Sequence, residues 1–177
     1  MREFFALIHR ACLALVSGIY FAFRHKAYFT LTHGVYYVLL HGQHFALLHG
    51  IYFALVHRAY FTFMHGINFA VIHRSYFELI HCSYFALIQG ARFALLHGIY
   101  FALIHRSYLA LIHCMHFAVI HGANFALIHG SHFGLMLAAY FALILGIYFA
   151  LIHGEPCALL QGIHFALVHR AYFAFMA

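Results

Sequence analysis

The stretch HGIYFALI at residues 97–104 decides how the chain is read, because its eight positions recur from end to end without an insertion or a deletion. Twenty-two copies are present, and sixteen of the twenty histidines occupy the first position of the unit. Gln89, Leu137, Leu145 and Gln161 stand there in other copies. A fixed period of this kind marks a repeat architecture, in which each unit buries apolar surface only against its neighbours.

The parity of the unit separates strand from helix. Eight helical residues leave the pattern rotated by about 80°, so no apolar stripe survives more than a few copies. A strand has a side-chain period of two, and eight is even, so each position keeps its face along the whole array. Ile, Tyr, Phe and Val also favour strands. We therefore expect an all-β repetitive array over residues 1–177, each unit being a six-residue strand and a two-residue His-Gly corner. One face carries Ile, Phe and Leu and is expected to point inward; the other carries Tyr, Ala and the final Ile. Arg replaces Gly at several corners (Arg10, Arg58, Arg74, Arg106, Arg170) and tolerates positive φ poorly. A corner with negative φ is thus expected to serve both residues.

Two β arrangements satisfy this pattern. A β-solenoid with two units per turn places sixteen residues in each coil, stacked at about 4.8 Å. A β-meander pairs successive units antiparallel. The solenoid is preferred, since it gives the inward face a partner face. The alternative to both is a set of long hydrophobic transmembrane α-helices, for which residues 135–152, free of His, Lys and Arg, form the best span. Glu155-Pro156 is the one break in the pattern, and a local disruption is expected there.

Composition sets the chain apart from soluble domains. Hydrophobic residues make up 67% and charged residues 7%, against about 45–50% and about 25% in ordinary globular proteins. Such a chain needs another apolar phase, whether a membrane, copies of itself or an aggregate. The net charge is +6, but the nine cations are scattered along the sequence with no cluster, so no nucleic-acid partner is expected. Cys12, Cys82, Cys114 and Cys157 form no CxxC pair and indicate no redox compartment. His9 and Arg10 interrupt the first apolar stretch, so no cleavable signal peptide is read, and the compartment stays open.

Substitutions within the unit follow the genetic code. The position after His holds Gly in twelve units and elsewhere Arg, Lys, Cys or Ala. Gly, Arg and Cys share little physical chemistry, yet single-base changes interconvert their codons. A larger duplication aligns residues 73–104 with 105–136, matching Arg74-Ser75-Tyr76 to Arg106-Ser107-Tyr108. A 24-nucleotide tandem repeat keeps its frame whether or not its product is selected. A translated minisatellite with no evolved function is therefore one reading of the chain.

The histidine ladder is the only constellation with chemistry in it. In a two-unit coil, alternate histidines stack along each edge at about 5 Å, so His41, His49, His57, His65, His73, His81, His97, His105, His113, His121 and His129 become candidate ligands for Zn²⁺, Cu²⁺ or Ni²⁺. In a helix they would stand about 12 Å apart and share nothing. No carboxylate is placed to orient a site, so binding is expected to be weak, multiple and nonspecific. Glu3, Glu78 and Glu155 are the only acids, no serine lies in a nucleophile elbow, and no phosphate loop is present. We expect no enzyme, no resident cofactor and no small-molecule substrate, but a self-associating structural protein rich in strand-forming apolar residues. Membrane association is the second expected partner class.

Overall fold

The computed structural model describes residues 5–154, 156–170 and 172–176, leaving out the side chains of residues 5, 82, 83, 114, 115 and 176. It is all-β, with 81% of the residues in strands and no helix among those described. Single passes form β1 (Phe5–His9), β2 (Leu13–Ser17), β3 (Phe21–His25) and β4 (Phe29–His33) at one end. The other end has β8 (Phe141–Leu145), β9 (Phe149–His153), β10 (Cys157–Gln161), β11 (Phe165–His169) and β12 (Phe173–Met176). Between them lie β5 (Tyr37–His49), β6 (Phe53–Gln89) and β7 (Phe93–Leu137), in which the hydrogen-bonded ladder continues through successive corners.

The strand pairings follow one rule: each residue lies beside the residue sixteen positions later, in parallel. Phe5 pairs with Phe21, Phe29 with Phe45, Phe85 with Phe101 and Phe133 with Phe149. The result is a β-solenoid of about 10 turns with two units per coil. Its first wall holds residues 5–9, 21–25 and so on every sixteenth residue; its second wall holds 13–17, 29–33 and their successors. The antiparallel meander is excluded by this register. So is the helical alternative: residues 135–152 form the end of β7, all of β8 and part of β9. Among the described residues no helix is long and apolar enough to cross a membrane.

The corners depart from expectation in two ways. First, the residue after His has positive φ whatever its identity: Gly18 to Gly162 lie between 60° and 74°, and Arg10, Lys26, Arg58, Arg74, Arg106, Ala138 and Arg170 between 51° and 59°. The negative-φ corner is not used. A backbone bond explains why one conformation serves both. The corner N–H donates to the carbonyl of the histidine position one coil on, as from Arg10 to His25 (2.9 Å), Lys26 to His41 (2.8 Å) and Gly50 to His65 (3.0 Å). That bond is indifferent to the side chain, and it offsets a left-handed cost of about 1–2 kcal/mol at each non-glycine.

Second, the strand has five residues and the corner three, not six and two. Gly, Ile and Tyr turn the chain, and that odd number inverts which side of the strand faces inward. The expected Ile-Phe-Leu interior is therefore wrong for Phe and Leu. Ala22, Ala54 and Ala102 are fully buried, as are the last residues of the unit such as Leu40, Ile72 and Ile104. The Ile that follows Gly also turns inward at the corner, as at Ile51 and Ile99. Phe and Leu cover the outside of both walls. At Glu155-Pro156 only the proline is described. Its carbonyl accepts from the Phe173 N–H at 3.1 Å, and the register holds on both sides, Phe141 pairing with Cys157 and Cys157 with Phe173.

The core carries two ionisable intruders, Glu78 and Arg24. Arg24 takes the place that Leu40 and Val56 fill in later coils, and it is completely buried. Its Nη1 donates to the Ala14 carbonyl at 2.7 Å, while Nε and Nη2 have no partner. Burial pushes its pKa down to about 10. A buried cation without a counter-charge costs several kcal/mol. Replacing it as Arg24→Leu should raise unfolding stability by about 2 kcal/mol or more, read as a higher denaturation midpoint in guanidinium; a lower midpoint would show that the arginine supports its coil.

Candidate functional site

The coil converts the histidine register into two ladders. One runs along the end of the first wall and brings together His41, His57 and His73, then His105 and His121. The other runs along the second wall through His49, His65, His81, His97, His113 and His129. Neighbouring ring centroids are 4.8–5.0 Å apart throughout, from His41–His57 (4.8 Å) to His49–His65 (5.0 Å) and His97–His113 (4.9 Å). The ladders also reach beyond the candidate set, to His9 and His25 (5.0 Å) and to His153 and His169 (4.9 Å). Gln89 interrupts the first ladder, and its Oε1 lies 3.2 Å from His73 Nδ1.

Some rungs face each other through nitrogen. His41 and His57 bring their Nδ1 atoms to 3.0 Å, and His113 and His129 to 2.9 Å. One Nδ1 of each pair must carry a proton and the other accept it, so both cannot be doubly protonated without an N–H to N–H clash. His25, His57 and His81 are held below the ordinary imidazole value. Desolvation is the largest cause for each, followed by the neighbouring rungs and, for His25 and His57, by adjacent Lys or Arg. Parallel stacking presents one imidazole per coil in one direction. Among the described residues no group of three or more His, Cys, Asp or Glu converges on a point that could hold a metal ion. A tetrahedral site needs four ligands; the rungs come together at most in pairs.

Four histidines outside the repeat register, left unassigned from the sequence, join the two aromatic columns at the Tyr positions, His44 at one corner and His116, His132 and His164 at the other. His44 stacks on Tyr28 (4.8 Å), His116 on Tyr100 (4.4 Å), His132 on His116 (4.9 Å) and His164 on Tyr148 (4.8 Å). The signal was available, since each stands where its neighbours have Tyr.

The charge distribution reverses the reading taken from sequence order. Arg10, Lys26, Arg58, Arg74, Arg106 and Arg170 are scattered in the chain but separated by multiples of sixteen. They therefore line one corner of the solenoid, all exposed. The expectation of dispersed cations fails because the relevant period is the coil, not the unit.

A second buried ionisable group lies in the second wall. Glu78 takes an Ala position, is fully buried, and accepts a hydrogen bond from the Ser75 hydroxyl at Oε1, while Oε2 has no partner. Burial holds its carboxyl well above the usual range. No family model matches this chain, and neither does any curated protein or solved structure. The architecture itself is that of a structural repeat protein of the β-solenoid class.

The sign of the Glu78 effect follows from proton binding. Above about pH 4.5 the unfolded carboxyl loses its proton while the folded one keeps it. Stability attributable to this residue therefore falls as pH rises, by up to about 1.4 kcal/mol per unit. The lowered histidines act oppositely, costing stability as pH falls below 6.5. Comparing Glu78→Ala with the parent isolates the carboxyl: the advantage of the variant should grow steadily from pH 4.5 to 7 in denaturant titrations. A difference that does not change with pH would mean that the buried group stays ionised.

Proposed function

We propose that the chain is a non-enzymatic structural protein that self-associates through the outer face of its second wall. The observation that carries this reading is the composition of that face. Three residues per strand point outward; besides the histidine-position residue they are, along successive coils, Leu13 and Leu15, Phe29 and Leu31, Phe45 and Leu47, Phe61 and Phe63, with no Lys, Arg, Asp or Glu interposed. Phe45, Phe125 and Phe141 are 38%, 43% and 40% exposed. Ten coils at about 4.8 Å and five residues at about 3.3 Å make a flat face of roughly 790 Å². Two copies packed face to face would then bury roughly 1,600 Å², the area of a stable protein interface. Patches beyond a few hundred Å² on one molecule mark interaction surfaces. A second copy fits best, because a flat sheet of repeated Phe and Leu is complementary to itself.

Sedimentation velocity at micromolar concentration tests the reading. The parent chain should sediment as dimers or larger species. The double variant Phe45→Lys/Leu47→Lys should shift toward monomer by at least tenfold in apparent dissociation constant, with the same β-type circular dichroism. A monomeric parent, or a variant that assembles as tightly, would overturn the proposal.

A second reading, a translated repeat without a selected role, is favoured by Arg24 and Glu78. Each is one base from an apolar codon, and each leaves polar atoms without a partner in the core. The coding sequence discriminates. Selection on the product predicts an excess of synonymous differences among copies at the Ala and Ile core positions, whereas equal synonymous and nonsynonymous divergence there supports the unselected repeat.

A further inference from the structure

Seven of the nine cations of the chain share one edge of the solenoid. To the six at the corner is added Arg92, in the flanking Tyr column, whose guanidinium lies 5.2 Å over the Tyr76 ring. The opposite corner has no Lys or Arg among the described residues. Among the described residues no acid neutralises the basic edge, since Glu78 points into the core.

The side chains on this edge are laid along the solenoid axis. The Lys26 Cγ lies 3.5 Å from where a Cβ on Gly42 would stand; Arg74 and Arg106 approach Gly90 and Gly122 in the same way at 3.8 Å. These three stems lean over the glycine of the next coil, and the sixteen-residue register puts all six corner cations in one file along the edge. A groove of about 440 Å³ opens at one end of the file, between Arg10, Lys26 and Gly42 on one side and Tyr28 and His44 on the other. The first histidine ladder borders the same edge, and His25 and His57 are depressed by desolvation first, then by their neighbouring histidines, and last by the adjacent Lys and Arg.

We propose that this edge binds a linear polyanion, the sugar-phosphate backbone of a single nucleic-acid strand, through its phosphates. From Arg10 to Arg170 the file spans ten coils, about 48 Å at strand spacing. A compact anion meets one or two of these charges; an extended strand meets most of them. A bilayer would engage a face, whereas this edge offers one row. Base stacking contributes little, because the flanking tyrosines already cover one another, Tyr60 on Tyr76 at 4.8 Å and 6°. The contact is electrostatic and indifferent to base sequence. It depends on the solenoid register and is independent of self-association.

The test uses the full chain and a fluorescent 30-nucleotide thymidylate strand, with co-sedimentation for assembled protein and anisotropy for dispersed protein. Arg58→Gly/Arg74→Gly/Arg106→Gly is the informative variant, since glycine holds the same corner conformation at Gly42, Gly90 and Gly122; circular dichroism verifies the coil. The parent should bind at about 50 mM salt, with affinity falling steeply as salt rises. Each phosphate contact contributes about −0.7 to the slope of log K against log salt, so the triple variant should be shallower by about 2. Inorganic polyphosphate should displace the strand. No binding at low salt, a slope unchanged in the triple variant, or capture by phosphatidylserine vesicles without capture of the strand would each overturn the proposal.

Discussion

One backbone hydrogen bond, repeated from corner to corner along the rod, holds the architecture together. Among the described residues the Gly, Arg, Lys or Ala after a histidine position adopts the left-handed conformation, and from Arg10 to Gly154 its N–H reaches the carbonyl of the coil that follows. This bond ties the turn to the ladder, so the coil cannot relax at a corner without breaking register in both walls. Because only main-chain atoms take part, the side chain is released from any structural duty. Gly, Arg, Lys and Ala all occupy the place, and the edge becomes a surface on which charge can be written without disturbing the core.

The walls are built on the opposite logic. Their interior keeps an Ala and a branched aliphatic residue in most strands, stacked on the same types above and below, while the inward corner position ranges over Ile, Val, Ala, Ser and Gln. Arg24 interrupts an otherwise apolar column and Glu78 a column of Ala and Thr, and each finds only one partner for several polar atoms. That the stack retains its register around both shows how much of its stability is spread over many equivalent layers. The outer faces carry Phe and Leu in numbers that a solitary soluble molecule does not need. The apolar excess in the composition is thus located on the outside of the walls.

The even period was enough to choose strand over helix, and the two-unit coil placed His41 beside His57 and His49 beside His65 at the expected spacing. What could not be read was the side each strand presents. Sidedness depends on whether the corner consumes two residues or three, and the run Gly-Ile-Tyr carries no local mark of where the turn ends. Tyr and Phe both face outward there, a parity break that alternation alone does not reveal. The basic edge escaped for another reason. Arg58, Arg74 and Arg106 look unrelated until positions are compared at intervals of sixteen, which requires knowing that a coil holds two units. The short approach of His41 Nδ1 to His57 Nδ1 depends on ring rotation, which no sequence pattern specifies.

The sixteen-residue coil also makes the molecule sensitive to whether its copy number changes by odd or even steps. Gain or loss of two units, 48 nucleotides, lengthens or shortens the rod and leaves every downstream residue where it was. Gain or loss of one unit exchanges the two corners for everything beyond the event, carrying later arginines to the bare edge and splitting the row of charge in two. The internal duplication of residues 73–104 onto 105–136 has a length of two coils, which keeps Arg74 and Arg106 in line. Length variants of such an array would therefore fall into two electrostatic classes, distinguishable by where along the rod the positive side changes over.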